Sequence, residues 1–157
     1  MANARIEEAK RILKIADHMV YITYPAINEK RLLIKIVSQV GGAMNNVVLS
    51  VLENEYLNKR ISSYANPKMN FKSFVESSKR YGIKQSGIDT MEKIASLIEM
   101  HEQSPMEFVR NDRFVIMTDS MHTEEITYNL VKSFLATAKE AVSATENRLK
   151  LDSTQMH

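Results

Sequence analysis

Seventeen consecutive positions, Ile36 to Leu52, carry no Asp, Glu, Lys or Arg in a chain that is 25% charged overall. They form the middle of a longer helical segment, Asn28 to Ile61, and limit what the rest of the chain can do around it. Leu33, Val37, Val40, Met44, Val47 and Val51 recur in alternating steps of four and three, the seam of a coiled-coil-like packing. Ile34, Val48 and Leu52 flank one side and Leu32, Ile36 and Ala43 the other, so the apolar arc covers about 200° at about 100° per residue. A helix with so wide an arc touches several neighbours. Its remaining face, Ser38, Gln39, Gly42, Asn45, Asn46 and Leu49, is small or uncharged where a solvated helix normally carries Lys and Glu. Gln39, two Asn and two Ser make the stretch too polar, and its length too short, to span a bilayer. The expectation is that this face packs as well, against another helix or a second copy of the chain, with Gly41 and Gly42 allowing close backbone approach. The alternative is a kink at the two glycines.

At 157 residues, with four Gly and three Pro, the chain suits one helical domain over residues 1–150, with a frayed polar tail over 151–157. The balance of 21 basic against 19 acidic residues gives no general basic surface, so any nucleic-acid contact must be local. No cysteine is present, which removes disulfides, thiol catalysis and Cys-ligated zinc and fits a cytoplasmic protein. The amino terminus has no apolar signal-peptide core.

In chain order, Ile6, Ala9, Leu13, Ala16 and Val20 predict a first helix, ending near Tyr24 because the ring of Pro25 disfavours helical backbone before it. The uncharged helix follows from Asn28. Beyond Val51 its seam fails at Asn54, Glu55 and Asn58, where it is expected to overhang its neighbours and where Glu55 and Asn58 are candidate groove residues. Asn66-Pro67 predicts a third helix with Phe71, Phe74, Val75, Ser78 and Tyr81 inside and Gly82 as its C-terminal cap. Ser86 and Asp89 resemble a capping box for a fourth helix that buries Ile88, Met91, Ala95 and Ile98. Residues 106–117 read as a β-hairpin turning at Asn111-Asp112, a register that sets Arg110 opposite Arg113. Thr123, Glu124 and Glu125 predict the start of the last helix, with Ile126, Leu130, Val131, Phe134, Leu135, Ala138, Ala141 and Val142 buried. The fold class is therefore mainly α: about five helices in a bundle and a small hairpin before the last.

No phosphate loop, calcium loop or paired metal-ligating His is present, and the four His are scattered, so neither cofactor nor metal is expected. Arg110 and Arg113 at the hairpin tip could grip phosphate or carboxylate, or simply pair with Glu107 or Asp112. Arg11 and His18, seven apart on one helix face, could orient a phosphate and move a proton, or be two solvated residues.

The run Ser104-Pro105-Met106-Glu107-Phe108, then Arg110, Asp112 and Phe114-Val115-Ile116 before a final amphipathic helix, resembles a segment of archaeal helical proteins of similar length. The Tyr24-Pro25 corner and the helix end at Val51-Leu52-Glu53-Asn54-Glu55-Tyr56 are similar too. Those proteins are HEPN-like in outline, and HEPN ribonucleases carry an Arg and a His at short spacing, which Arg11 and His18 match. The family places that pair in a late helix, where this chain has only Arg113 and His122, too far apart. The resemblance implies a helical bundle and supplies no established activity. The leading expectation is a non-catalytic, self-associating binding or scaffolding module, a homodimer meeting its partner through Ser38, Gln39, Gly42, Asn45, Asn46 and Leu49. A protein partner and no membrane are expected. The alternatives are a metal-independent, HEPN-like ribonuclease using Arg11 and His18, or an RNA-binding protein using the hairpin tip.

Overall fold

The structure, a computed structural model, describes residues 2–64 and 67–155. Its elements are α1 (Ala2–His18), α2 (Tyr24–Ile27), α3 (Leu32–Leu57), α4 (Pro67–Ser77), α5 (Gln85–Gln103), β1 (Met106–Arg110), β2 (Arg113–Met117), β3 (Thr123–Ile126) and α6 (Tyr128–Gln155). Five long helices and a small antiparallel sheet placed before the last of them make the mainly helical bundle that the apolar periodicity predicts.

α3 is the middle of that bundle. All six of its seam residues are buried, and it packs against α1, α4, α5 and α6. Over its full length, and contrary to the expectation from the uncharged stretch alone, it is long and apolar enough to cross a membrane by length and composition, but here its apolar side is the core around which the other helices lie. α1 runs antiparallel to it: the Ser50 hydroxyl donates to the Ala2 carbonyl at 2.9 Å, and Gly42 lies opposite Ile12. α6 runs antiparallel to α1, with Lys10 paired to Glu146 and Lys139 to Asp17. α3 therefore lies parallel to α6, and their C-terminal ends meet.

The structure departs from the sequence expectations at several places, among them the start of α3, which lies at Leu32 rather than Asn28. At Tyr24-Pro25 the helix does not stop. It widens into a π-helical turn over Met19–Thr23, in which the Tyr24 N–H donates to the Met19 carbonyl, and continues to Ile27. Pro25 has no N–H for the next such bond, to Val20, and the Tyr128 hydroxyl donates to that carbonyl instead at 2.7 Å. A distant side chain thus supplies the donor that proline lacks, and Asn28, in the left-handed region at φ 56, ends the helix.

The expected overhang of α3 is absent, because Leu52, Glu53, Asn54 and Glu55 are all buried. Ser86 and Asp89 do not form a capping box: α5 begins at Gln85, Lys84 offers no side-chain cap, and Gln85 binds Asp89 at 2.9 Å. α5 buries Ile88, Met91, Ile94 and Leu97, leaving Ala95 exposed and Ile98 half-buried. Thr123 to Ile126 is a third strand rather than a helix start. β2 is the central strand, paired with β1 on one edge and with β3 on the other from Phe114–Ile126 to Met117–Thr123, and both its faces are covered, since Phe114, Val115 and Ile116 are buried in succession. The last helix is started instead by Thr127, whose hydroxyl accepts from the Leu130 N–H at 3.1 Å. It continues past the expected end to Gln155, because Asp152 is buried and bonded. Asn66, the expected cap of α4, lies outside the described residues, whereas Gly82 takes the left-handed conformation (φ 72) expected of a C-terminal cap.

Candidate functional site

Where α3 and α6 end together, polar residues replace the apolar seam. The Glu55 carboxylate, 1% exposed, accepts from the Tyr81 hydroxyl and Arg60 Nε on one oxygen, both at 2.8 Å, and from Arg80 Nη1 on the other at 2.5 Å. The Asp152 carboxylate accepts from Asn54 at 2.7 Å, Arg60 Nη2 at 2.8 Å and Arg148 Nε at 3.0 Å. Asn54 also donates to the Tyr81 hydroxyl at 2.8 Å, which joins the two carboxylates into one network. Local backbone makes this possible. The Lys59 N–H donates to the Tyr56 carbonyl and the Arg60 N–H to that of Glu55, with Lys59 left-handed at φ 60, and this Schellman turn folds Arg60 back over the helix end.

Burial foremost, then the neighbouring Glu55, pushes the Tyr81 phenol up to about 12, so it stays a neutral donor. Burial also pushes the Asp152 carboxyl up, but the hydrogen bonds of Arg60, Asn54 and Arg148 outweigh it and hold the group below its ordinary value. Glu55 is thus enclosed within a polar clamp, and Asn58 braces it by donating to the Asn54 carbonyl at 2.8 Å. No motif in their sequence context marks Arg60, Arg80, Arg148 or Asp152, and Tyr81 reads there only as one of a buried helical stripe. One signal for Asp152 is that it continues the buried stripe of α6 through Val142, Thr145 and Leu149.

The hairpin tip carries out the predicted Arg110–Arg113 apposition. The repulsion is relieved from β3: Glu125 accepts from Arg110 Nη2 at 2.8 Å and from Arg113, and Asp112 lies 3.6 Å from Arg113. The Arg113 hydrogen bond, then that of Arg110, lowers the Glu125 carboxyl. The tip is therefore a closed ion triad with its arginines still about half exposed.

Arg11 and His18 take separate partners, one on α1 and one in the π-helical turn. Arg11 binds Glu8 at 2.6 and 2.9 Å, while His18 Nδ1 is 3.4 Å from the Thr23 hydroxyl. Arg11 also lines an open groove of about 750 Å³ between α1 and α6, whose other lining residues include Lys10, Lys14 and Lys139.

On the uncharged face of α3, Ser38 and Asn45 are exposed, and Gln39, Gly42, Asn46 and Leu49 are half-buried. The two glycines differ. A methyl group on Gly41 would stand 2.5 Å from Ile98 Cδ1, so this residue admits α5, whereas a methyl on Gly42 would meet only Ile12 Cδ1 at 3.9 Å. Beside Gly41 and Asn45 opens a cleft of about 350 Å³, lined chiefly by Val48, Phe71, Ala95 and Ile98, with Glu99 and Glu102 at its edge. Among the described residues, no group of three or more His, Asp or Glu is arranged to hold a metal ion. Comparison with protein-family models, with characterised proteins and with solved structures yields no match.

Proposed function

We propose that the chain is a non-catalytic binding module that associates with a second copy of itself through the uncharged face of α3 and the cleft beside it. The observation that carries this reading is the position of Ala95 and Ile98. Both fit the apolar stripe of α5, yet they open onto the cleft next to Gly41 and Asn45 and leave apolar surface beside a strip without charge. The strip itself loses little on desolvation, since it holds no ion that must be stripped of water, and the carboxylates Glu99 and Glu102 stand at the edge of the cleft. Its composition suits an isologous contact, in which the same strip meets itself across a two-fold axis with no like charges brought together.

Sedimentation velocity at tens of micromolar tests the proposal. The expected species is a dimer, and Asn45→Glu or Ala95→Glu, both at exposed positions, is expected to give a folded monomer. A wild-type chain that stays monomeric overturns self-association.

A further inference from the structure

On the opposite side of α1 lies a surface of different chemistry, and we propose that this α1–α6 face is a binding track for single-stranded nucleic acid. The reading does not depend on self-association, because it uses none of the α3 strip. The track begins in the groove of about 750 Å³, where Leu13, Val142 and Ser143 lie among Lys10, Arg11, Lys14 and Lys139, facing Glu7 and Asp17. It continues along both helices toward the π-helical turn. Lys139 Nζ lies 5.9 Å from the ring centroid of Tyr21, which is 51% exposed. Beyond it Tyr128 stacks on Tyr24 with centroids 4.6 Å apart, Lys132 Nζ lies 4.6 Å from the Tyr128 centroid, and Lys30 is 5.9 Å from that of Tyr24.

Two features point to this ligand. The first is charge. The groove end is nearly balanced, since Lys10 is paired with Glu7 and Glu146 and Arg11 with Glu8. Toward the turn Lys139 is paired with Asp17 and the charge of Asp112 reaches Tyr24, against Lys14, Lys139, Lys132 and Lys30, which leaves a positive excess beside the aromatic rings. The +2 of the whole chain conceals this local excess. The second is the exposed Tyr21 ring next to a lysine. A phosphate on Lys139 places the attached base within reach of that ring, and base stacking on an aromatic side chain is how sequence-tolerant single-strand binders add to phosphate contacts. A paired base has both faces covered, which favours a single strand. Along α1 the distance from Lys10 to Tyr21 is about 16 Å at about 1.5 Å per residue, enough for a short run of nucleotides. Lys139, Lys132 and Lys30 are held by an exposed carboxylate or by ring faces, contacts that exchange readily because exposed pairs are weak.

The test is fluorescence anisotropy with an end-labelled ten-nucleotide oligouridylate at low salt, using the full chain. Binding is expected. The Lys14→Ala, Lys139→Ala double variant should bind at least tenfold more weakly, with a salt slope shallower by about 1.4, the value for two lost phosphate contacts on a single strand. Tyr21→Ala should weaken binding about tenfold, and Tyr21→Phe should restore it, because the ring face rather than the hydroxyl is used. All these side chains are largely exposed, and unchanged circular dichroism and melting confirm that the variants fold. Absence of binding at low salt overturns the proposal, as does an affinity that ignores both sets of substitutions. So does equal binding of inorganic polyphosphate or polyglutamate with the same dependence on Tyr21, since neither offers a base. Ala95→Glu should leave RNA binding unchanged, so failure here is distinguishable from failure of the dimer.

Discussion

In the middle of α3 the residues that reach solvent, Ser38 and Asn45, carry no charge, whereas further along the same helix Glu53 and Glu55 carry charge and are buried. The two regions show that charge does not by itself assign a residue to the surface; the supply of hydrogen-bond partners does. Both oxygens of Glu55 have donors, from Tyr81, Arg60 and Arg80, so its lost hydration is replaced. Glu53 is a less complete case, with Arg5 at 3.1 Å on one oxygen and no partner on the other. At Ser38 and Asn45 the reverse holds: no ion is present, and water can leave that strip at small expense.

The comparison breaks most severely at Arg60, the residue that serves both buried carboxylates. Arg60→Ala is expected to destabilise the fold by about 3 kcal/mol, because removing one partner of a buried pair leaves the other charge uncompensated. Glu55 keeps Tyr81 and Arg80, and Asp152 keeps Asn54 and Arg148, which holds the loss at the lower end of the range for such changes. The check is a urea unfolding midpoint that falls with an unchanged m-value. A substitution on the uncharged strip, such as Ser38→Ala, should move the midpoint little. Equal effects at the two sites would mean that the clamp is no more than a solvated cluster.

A smaller effect separates the regions by pH. The folded-state Asp152 carboxyl lies below its ordinary value of 3.8, so its ion pairs contribute stability above that value and lose it as pH falls through the depressed folded value. Asp152→Asn should cost about 1.5–3 kcal/mol at pH 7, the worth of hydrogen bonds to a charged group, and the gap from wild type should close only well below pH 4. For Tyr81 the sign is opposite. Its folded phenol is raised to about 12 from 10.0, so its contribution is complete below pH 10 and fades as pH rises toward 12. Stability curves of the two chains that remain parallel down to pH 2 would remove Asp152 from the acid response.

The seam of α3, the buried stripe of α1, the Gly82 cap and the hairpin register were legible because each is stated by residues close together in sequence. The clamp was not. Asn54 and Glu55 show that the apolar seam stops, but only Tyr81 and Asp152, from distant parts of the chain, decide whether it stops in water or inside the protein. The same limit explains Pro25, whose local preference to end the helix is overcome by Tyr128. The third strand was hidden by good helix-start chemistry at Thr123-Glu124-Glu125. The competing signal was β2 itself, since the unbroken apolar run Phe114-Val115-Ile116 marks a strand covered on both faces, which calls for more sheet than one hairpin. For the candidate surfaces, the uncharged strip could be read directly. The groove between α1 and α6 could not, because its lysines come from residues 10–14 and from residue 139.

The smallest expected effect tests the middle of α3 against itself. Gly42 lies where a methyl group meets nothing closer than 3.9 Å, so Gly42→Ala should raise stability by about 0.5–1 kcal/mol through the helix preference of alanine. At Gly41 the same methyl would overlap Ile98 Cδ1 at 2.5 Å and crowd Ile94 Cγ2 at 3.2 Å. Ile98 can swing toward the cleft, but Ile94 is buried, so Gly41→Ala should gain less than Gly42→Ala or lose stability outright. Urea midpoints of the two variants give the comparison, and equal shifts would mean that Gly41 is not where α5 approaches closely. Sedimentation of the same variants sharpens it. If a second copy covers the strip, Gly42→Ala raises the stability of each protomer while loosening the pair, a combination that a helix-propensity effect alone does not produce.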